Sequence, residues 1–231
     1  MPKNLTPYML TAGPLLLLIP FTMWPQQNEV GGAAVEILAG EDRSKLVMLM
    51  AVASLGVAIM FGGLHLLIKG MMEKRDGGGI KQLLSFANLL VITALVTFFA
   101  GFGGNVQSIN TLDTDINAEG ETNGDIYANE ADRAESARNA YDAASAGWTM
   151  LPIAWGLAMI TIGLTTYLIQ RPESPIDYVF TALIPVGAAF TLLPILNDTA
   201  LFQVLFPVTL IIHILIGGLM LSGNLEVPES N

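Results

Sequence analysis

The apolar positions of this chain gather into six blocks, at about 8–24, 46–68, 83–103, 148–169, 178–196 and 200–222, with polar stretches between them. Each block is close to the ~20 residues that an α-helix needs to cross a ~30 Å hydrocarbon core. The blocks are continuously apolar, not alternating, which excludes a transmembrane β-barrel. The pattern therefore predicts an all-α integral membrane protein, a single polytopic six-helix bundle over residues 1–231.

The first block is the weakest. Pro14 and Pro20 interrupt it, and Lys3 ahead of an apolar run resembles a signal peptide. No small-x-small cleavage site follows, and Met23-Trp24-Pro25 has the character of an interfacial aromatic anchor. We expect a retained helix. The flanking cations set the orientation. With the N-terminus inside, Lys3, Lys69, Lys74, Arg75, Lys81 and Arg171 lie on the inner side, against Arg43, Lys45, Arg133 and Arg138 outside. Both termini are expected to be cytoplasmic, and the location is the cell membrane.

The connections differ in kind. Residues 69–82 form a basic turn with a glycine run at Gly77-Gly78-Gly79. Residues 104–147 form a long acidic outer loop, with nine carboxylates and two arginines between Asp113 and Asp142, a net of −7. Residues 108–124 are expected to be mobile, because these carboxylates repel one another. Over 128–146, Tyr127, Ala131, Ala134 and Tyr141 recur at helical spacing and predict an outer helix running into the fourth membrane helix. In the first outer loop, Val30, Ala33, Ala34, Ile37 and Leu38 share a helical face, which predicts a short interfacial helix. No residue pattern supports an internal repeat.

Composition narrows the chemistry. Charged residues make up only 13% of the chain, against about 25% in an ordinary soluble domain. The formal net charge is −10, which argues against a nucleic-acid partner, since phosphate binding needs a basic surface. Cysteine is absent, so there is no disulfide, thiolate metal site or cysteine nucleophile. No Asp, Glu, Lys or Arg falls inside any of the six blocks. Proton relays, voltage sensors and ion-coupled carriers place such groups at membrane depth, so these classes are disfavoured. No nucleophile elbow, phosphate loop or zinc signature is present, and no enzyme and no cofactor are expected.

The only titratable side chains deep inside the blocks are His65 and His213, the tyrosines of the blocks lying at or near their ends. Counted from the inner ends of their blocks they differ in depth by about 9 Å, which disfavours a shared haem. Asp113, Asp115 and Asn117 match the opening of a calcium loop. However, Ala118 and Gly124 stand where such a loop needs glycine and a bidentate glutamate, leaving at most a weak cation site. Ser54, Ala58 and Gly62 recur every four residues and predict a helix-packing stripe. Pro185 and Pro207 should free backbone carbonyls near Thr181, Thr191, Gln203, Thr209 and His213. With His65 these are the polar-cavity candidates; the alternative is that each hydroxyl bonds to its own helix. Asn88, Thr93 and Thr97 form a weaker second cluster. The leading expectation is a small-solute channel or transporter without intramembrane charge. The alternative is a non-catalytic membrane subunit whose acidic loop docks a partner. The expected surroundings are the lipid bilayer and either a second copy or a membrane-complex partner.

Overall fold

The computed structural model describes residues 5–25, 33–74, 77–114 and 127–226. Among them there is no strand. The helices are α1 Thr6–Met23, α2 Ala33–Ala39, α3 Arg43–Glu73, α4 Gly79–Leu112, α5 Glu130–Ala143, α6 Ser145–Ile169, α7 Tyr178–Thr181, α8 Leu183–Leu196 and α9 Thr199–Leu221. Six stretches are long and apolar enough to cross a membrane: α1, α3, α4, α6 with α5 leading into it, α7 with α8, and α9.

Local chemistry sets the helix ends. Asp42 caps α3, its Oδ1 accepting from the backbone N–H groups of Ser44 at 2.7 Å and Lys45 at 3.4 Å. Asn129 caps α5 and Asp198 caps α9 in the same way. Gly78 enters α4 at φ 87°, a conformation that L side chains rarely adopt. The fifth span is interrupted at Ala182. Pro185 has no N–H to bond the carbonyl of Thr181, so α7 stops there and α8 starts with the proline in its first turn, where the missing donor costs little.

The spanning helices form a closed ring: α1 packs on α3, α3 on α4, α4 on α6, α6 on α8, α8 on α9, and α9 back on α1. Glycines let the backbones approach. A Cβ on Gly13 would lie 2.5 Å from the backbone nitrogen of Met60 and 2.8 Å from the carbonyl oxygen of Gly56. One on Gly187 would lie 2.5 Å from the carbonyl of Gly156. Gly56 and Gly63 on α3, and Gly156 and Gly163 on α6, are each seven residues apart and serve one contact face.

Three expectations need correction. The acidic stretch 104–147 is not a loop throughout. The third span continues as helix to Leu112, so 108–112 are ordered, and α5 returns antiparallel along it. Small residues permit this contact: Ala137 and Ser108 are fully buried. A Cβ on Gly104 would meet the carbonyl oxygen of Ala140 at 2.9 Å. A turn at Ala144 separates α5 from α6. The short helix of the first connection, α2, packs on α4 and α5 and buries Leu38 of the predicted apolar face together with Val35, so that face is covered by protein at Leu38 instead of lying in the lipid interface. The turn after α3 is also shorter than the predicted 69–82, because α3 runs through Glu73 and α4 starts at Gly79. Val30, Arg75 and residues 115–124 lie outside the described residues.

Candidate functional site

One side chain gathers an aromatic cluster from four of the ring's helices. Trp155 of α6 is fully buried and packs edge-to-face on Phe61 of α3 and Phe190 of α8, each at 5.1 Å between ring centroids, and on Phe206 of α9 at 6.1 Å. Its fourth aromatic neighbour is His213 of α9, at 5.7 Å and an interplanar angle of 55°. Such contacts favour offset and edge-on geometries, which this set adopts.

His213 is fully buried. Its Nδ1 lies 2.7 Å from the carbonyl oxygen of Thr209, one turn earlier on α9. A carbonyl only accepts, so Nδ1–H is the donor, and in the neutral ring Nε2 becomes an acceptor. That Nε2 has no partner, and neither has the donor Nε1–H of Trp155. Each unpaired buried group carries a desolvation penalty of about 1–3 kcal/mol.

Among the described residues, three more buried side-chain atoms have no partner: Thr165 Oγ1 on α6, and Asn105 Oδ1 and Ser108 Oγ on α4. Their depths follow from the helix rise. Gly101 packs on Trp148, its built Cβ 2.9 Å from that ring, which places the two at one level. At 1.5 Å per residue, Asn105 and Ser108 then lie about 6 and 10 Å beyond that level towards the α5 end. Trp155 and Thr165 lie about 10 and 25 Å below it. Counted along the helices, the unpaired groups therefore span about 36 Å, with Asn105 and Ser108 beyond the third apolar block, on the stretch of α4 that packs with α5. All of them are uncharged.

Of the other sequence candidates, only Thr209 adjoins this cluster. Thr209 is buried and its hydroxyl donates to Leu205 O at 2.8 Å; Thr191 is half-buried and donates to Gly187 O at 2.8 Å. Both thus bond to their own helices, which was the alternative to a cavity-lining role. Gln203 is exposed, and Thr181 sits half-buried at the α7–α8 break. His65 is half-buried and joins α3 to α4 through Nδ1 and Asn88 Oδ1 at 2.7 Å. Thr93 and Thr97 back-bond along α4. Of the predicted set, only His213 and Thr209 meet at the centre.

In the Ser54, Ala58 and Gly62 stripe, Ala58 is exposed, and Gly62 faces the tip of the Met9 side chain. The close backbone approach to α1 uses Gly56 and Gly63 instead. Asp113 ends α4 and pairs with Arg43 at 3.0 Å, while Arg43 Nη2 also donates to Asn110 Oδ1 at 3.1 Å. Asp115 and Asn117 lie outside the described residues. Tyr141 of α5 has its phenol pKa raised, first by burial and then by the charge of Asp142.

Sequence reasoning missed Trp155, Asn105, Ser108 and Thr165. A signal for Trp155 existed. Tryptophan favours membrane interfaces, as the positions of Trp24 and Trp148 near block ends suggest, whereas Trp155 stands a third of the way into its block. The heptad spacing of Gly156 and Gly163 around it marks a tightly packed helix.

The class these features define is a multi-pass α-helical membrane protein with an uncharged, aromatic-centred interior. Comparison with protein-family models, with curated proteins and with solved structures gave no match, so the functional reading rests on the residues themselves.

Proposed function

We propose that this protein moves a small uncharged polar solute across a membrane through the interior of the helix ring, with Trp155 and its phenylalanine neighbours as the central closure. The observation that carries the reading is the set of buried, uncharged polar atoms without partners: Trp155 and His213 at the aromatic centre, Thr165 further along α6, and Asn105 and Ser108 on α4 beside α5. Buried polar groups are almost always paired, so such a set of exceptions fits transient partners supplied by a passing solute. The absence of Asp, Glu, Lys and Arg from the six apolar blocks fits an uncharged cargo, because an ion there would meet no counter-charge. The aromatic cluster suits a gated or carrier mechanism better than an open pore.

Solute flux into proteoliposomes tests this. Small neutral polar solutes should enter faster than into empty vesicles, and salt gradients should drive no current. Ion current without neutral-solute flux would overturn the proposal.

The subunit reading keeps one specific support. The exposed face of α5 carries Glu130, Asp132, Glu135 and Asp142, and α5 is braced against α4, which makes a firm acidic surface. If docking is the role, reversing Glu135 and Asp142 to lysine should release a co-purifying membrane partner. Flux should then be absent from the wild-type protein.

A further inference from the structure

We infer that Trp155 and His213 are the two ends of one binding site, built for a single small neutral molecule that both accepts and donates a hydrogen bond. The inference rests on the solute-translocation reading and names the class of solute. The two ring centroids lie 5.7 Å apart, both side chains are fully buried, and each keeps one ring nitrogen without a partner.

The two unpaired atoms are chemically complementary. Indole Nε1–H can only donate. His213 Nε2 can only accept while Nδ1–H is committed to the Thr209 carbonyl. A molecule that bonds both must therefore accept from Trp155 and donate to His213. Water does this, and so does a primary amide, an alcohol or a neutral amine. A molecule that only accepts, such as a fully alkylated amide, leaves His213 unpaired. One that only donates leaves Trp155 unpaired.

The walls narrow the class further. Phe61, Phe190 and Phe206 close around Trp155, so the ligand is compact and sheds its water on entering. The six apolar blocks supply no carboxylate or cation to balance a charge, so an ion is excluded by its own desolvation. The Thr209 carbonyl acts here as a positioning group. By holding Nδ1–H it fixes which histidine nitrogen is free.

The test uses the full chain in nanodiscs, with indole nitrogens labelled, and formamide against N,N-dimethylformamide as probes. In the unaltered protein the Trp155 indole N–H should either show magnetisation exchange with bound water or shift saturably as formamide is added. Dimethylformamide should not compete. The water arm and the formamide arm tell a resident water from a solute site. In proteoliposomes, His213→Phe should lower formamide flux about tenfold, the factor that one hydrogen bond is worth. His213→Gln, which restores an acceptor, should recover most of it.

A direct Trp155-to-His213 hydrogen bond seen by nitrogen–nitrogen coupling would overturn the inference. So would equal response to both probes, or an indole that sees neither water nor formamide. If formamide crosses and His213→Phe leaves the flux unchanged in a folded protein, the inference fails while the translocation reading survives. If Trp155 responds to formamide alone but nothing crosses, the site stands and the translocation reading fails.

Discussion

Replacing Gly13 by alanine is the sharpest check on how the ring is assembled. The added methyl would sit 2.5 Å from the Met60 nitrogen and 2.8 Å from both Gly56 O and Met60 Cα. All three are backbone atoms of a helix packed on both sides, so no side chain can swing away. Favourable contacts to carbon lie at about 3.5–4.0 Å, so α1 must retreat from α3 by roughly 1 Å. A gap of that size forfeits a quarter to a half of each dispersion contact along the seam. Leu10 and Leu17, buried on the same face of α1, would share the loss. Overpacking in a close-packed interior costs about 1–3 kcal/mol, and an unyielding backbone neighbour places Gly13→Ala towards the upper end. Gly70→Ala is the matched control, because nothing lies within 4 Å of a Cβ there. In micelles the unfolded state keeps most of its helix, so the usual propensity gain of up to about 1 kcal/mol shrinks and the control should be near neutral. Unfolding in a dodecyl sulfate titration, followed by near-ultraviolet circular dichroism, measures both. If Gly13→Ala is as stable as Gly70→Ala, the backbone-contact account of the α1–α3 seam is wrong.

Further outcomes follow from other positions. Phe61→Ala removes one wall of the central closure and should raise neutral-solute flux in proteoliposomes, whereas unchanged flux would place the barrier elsewhere. His65→Phe breaks the 2.7 Å link to Asn88 and should cost about 0.6–1 kcal/mol, since interhelical hydrogen bonds in membranes are weak; this is readable in the same titration. Cysteines at Gly78 and Glu135 should label from opposite sides of the membrane, the former from the cytoplasm; labelling from one side would refute the topology. The carboxylate of Asp177 has a lowered pKa because the Ser174 backbone N–H, the Ser174 hydroxyl and the Glu173 N–H all donate to it. Its contribution to the 173–177 turn is therefore present above the ordinary carboxylate pKa and is lost as pH falls through the lowered value. A carbon-detected titration of Asp177 with an unshifted midpoint would contradict that geometry.

The six spans were legible because apolar content over ~20 residues is a strong signal and the bilayer forces helix on any such stretch. Their ends were less so. Hydropathy sees where apolar residues stop, but α4 continues past Gly103 through Asn105, Ser108 and Thr111 because α5 covers it there. That cover comes from residues 130–143, a predicted outer helix whose polar composition gave no sign that it packs on α4. The spacing of Tyr127, Ala131, Ala134 and Tyr141 predicted the helix, but the acidic charge count masked its packing role. The register of the α3 contact was misjudged for a related reason. Ser54, Ala58 and Gly62 satisfy a four-residue small pattern, yet Gly56 and Gly63 meet α1, because the seam between antiparallel neighbours repeats every seven residues.

The site was half legible, for a reason in the physics of membrane interiors. His213 stood out because a titratable ring at depth is rare, and Thr209 because it lies one turn away. Trp155 did not, since an indole counts as apolar in any hydropathy window even though it carries an obligate donor. Whether that donor is paired depends on what α3, α8 and α9 bring to it. They bring three phenylalanines and one histidine whose own donor is already spent on Thr209. Pairing is thus decided between helices, while hydropathy is read along each one. An uncharged interior makes the consequence acute: with no carboxylate or cation in the apolar blocks, a lone indole N–H and a lone imidazole nitrogen become the strongest recognition groups at mid-depth, and they select for a partner that carries both a donor and an acceptor.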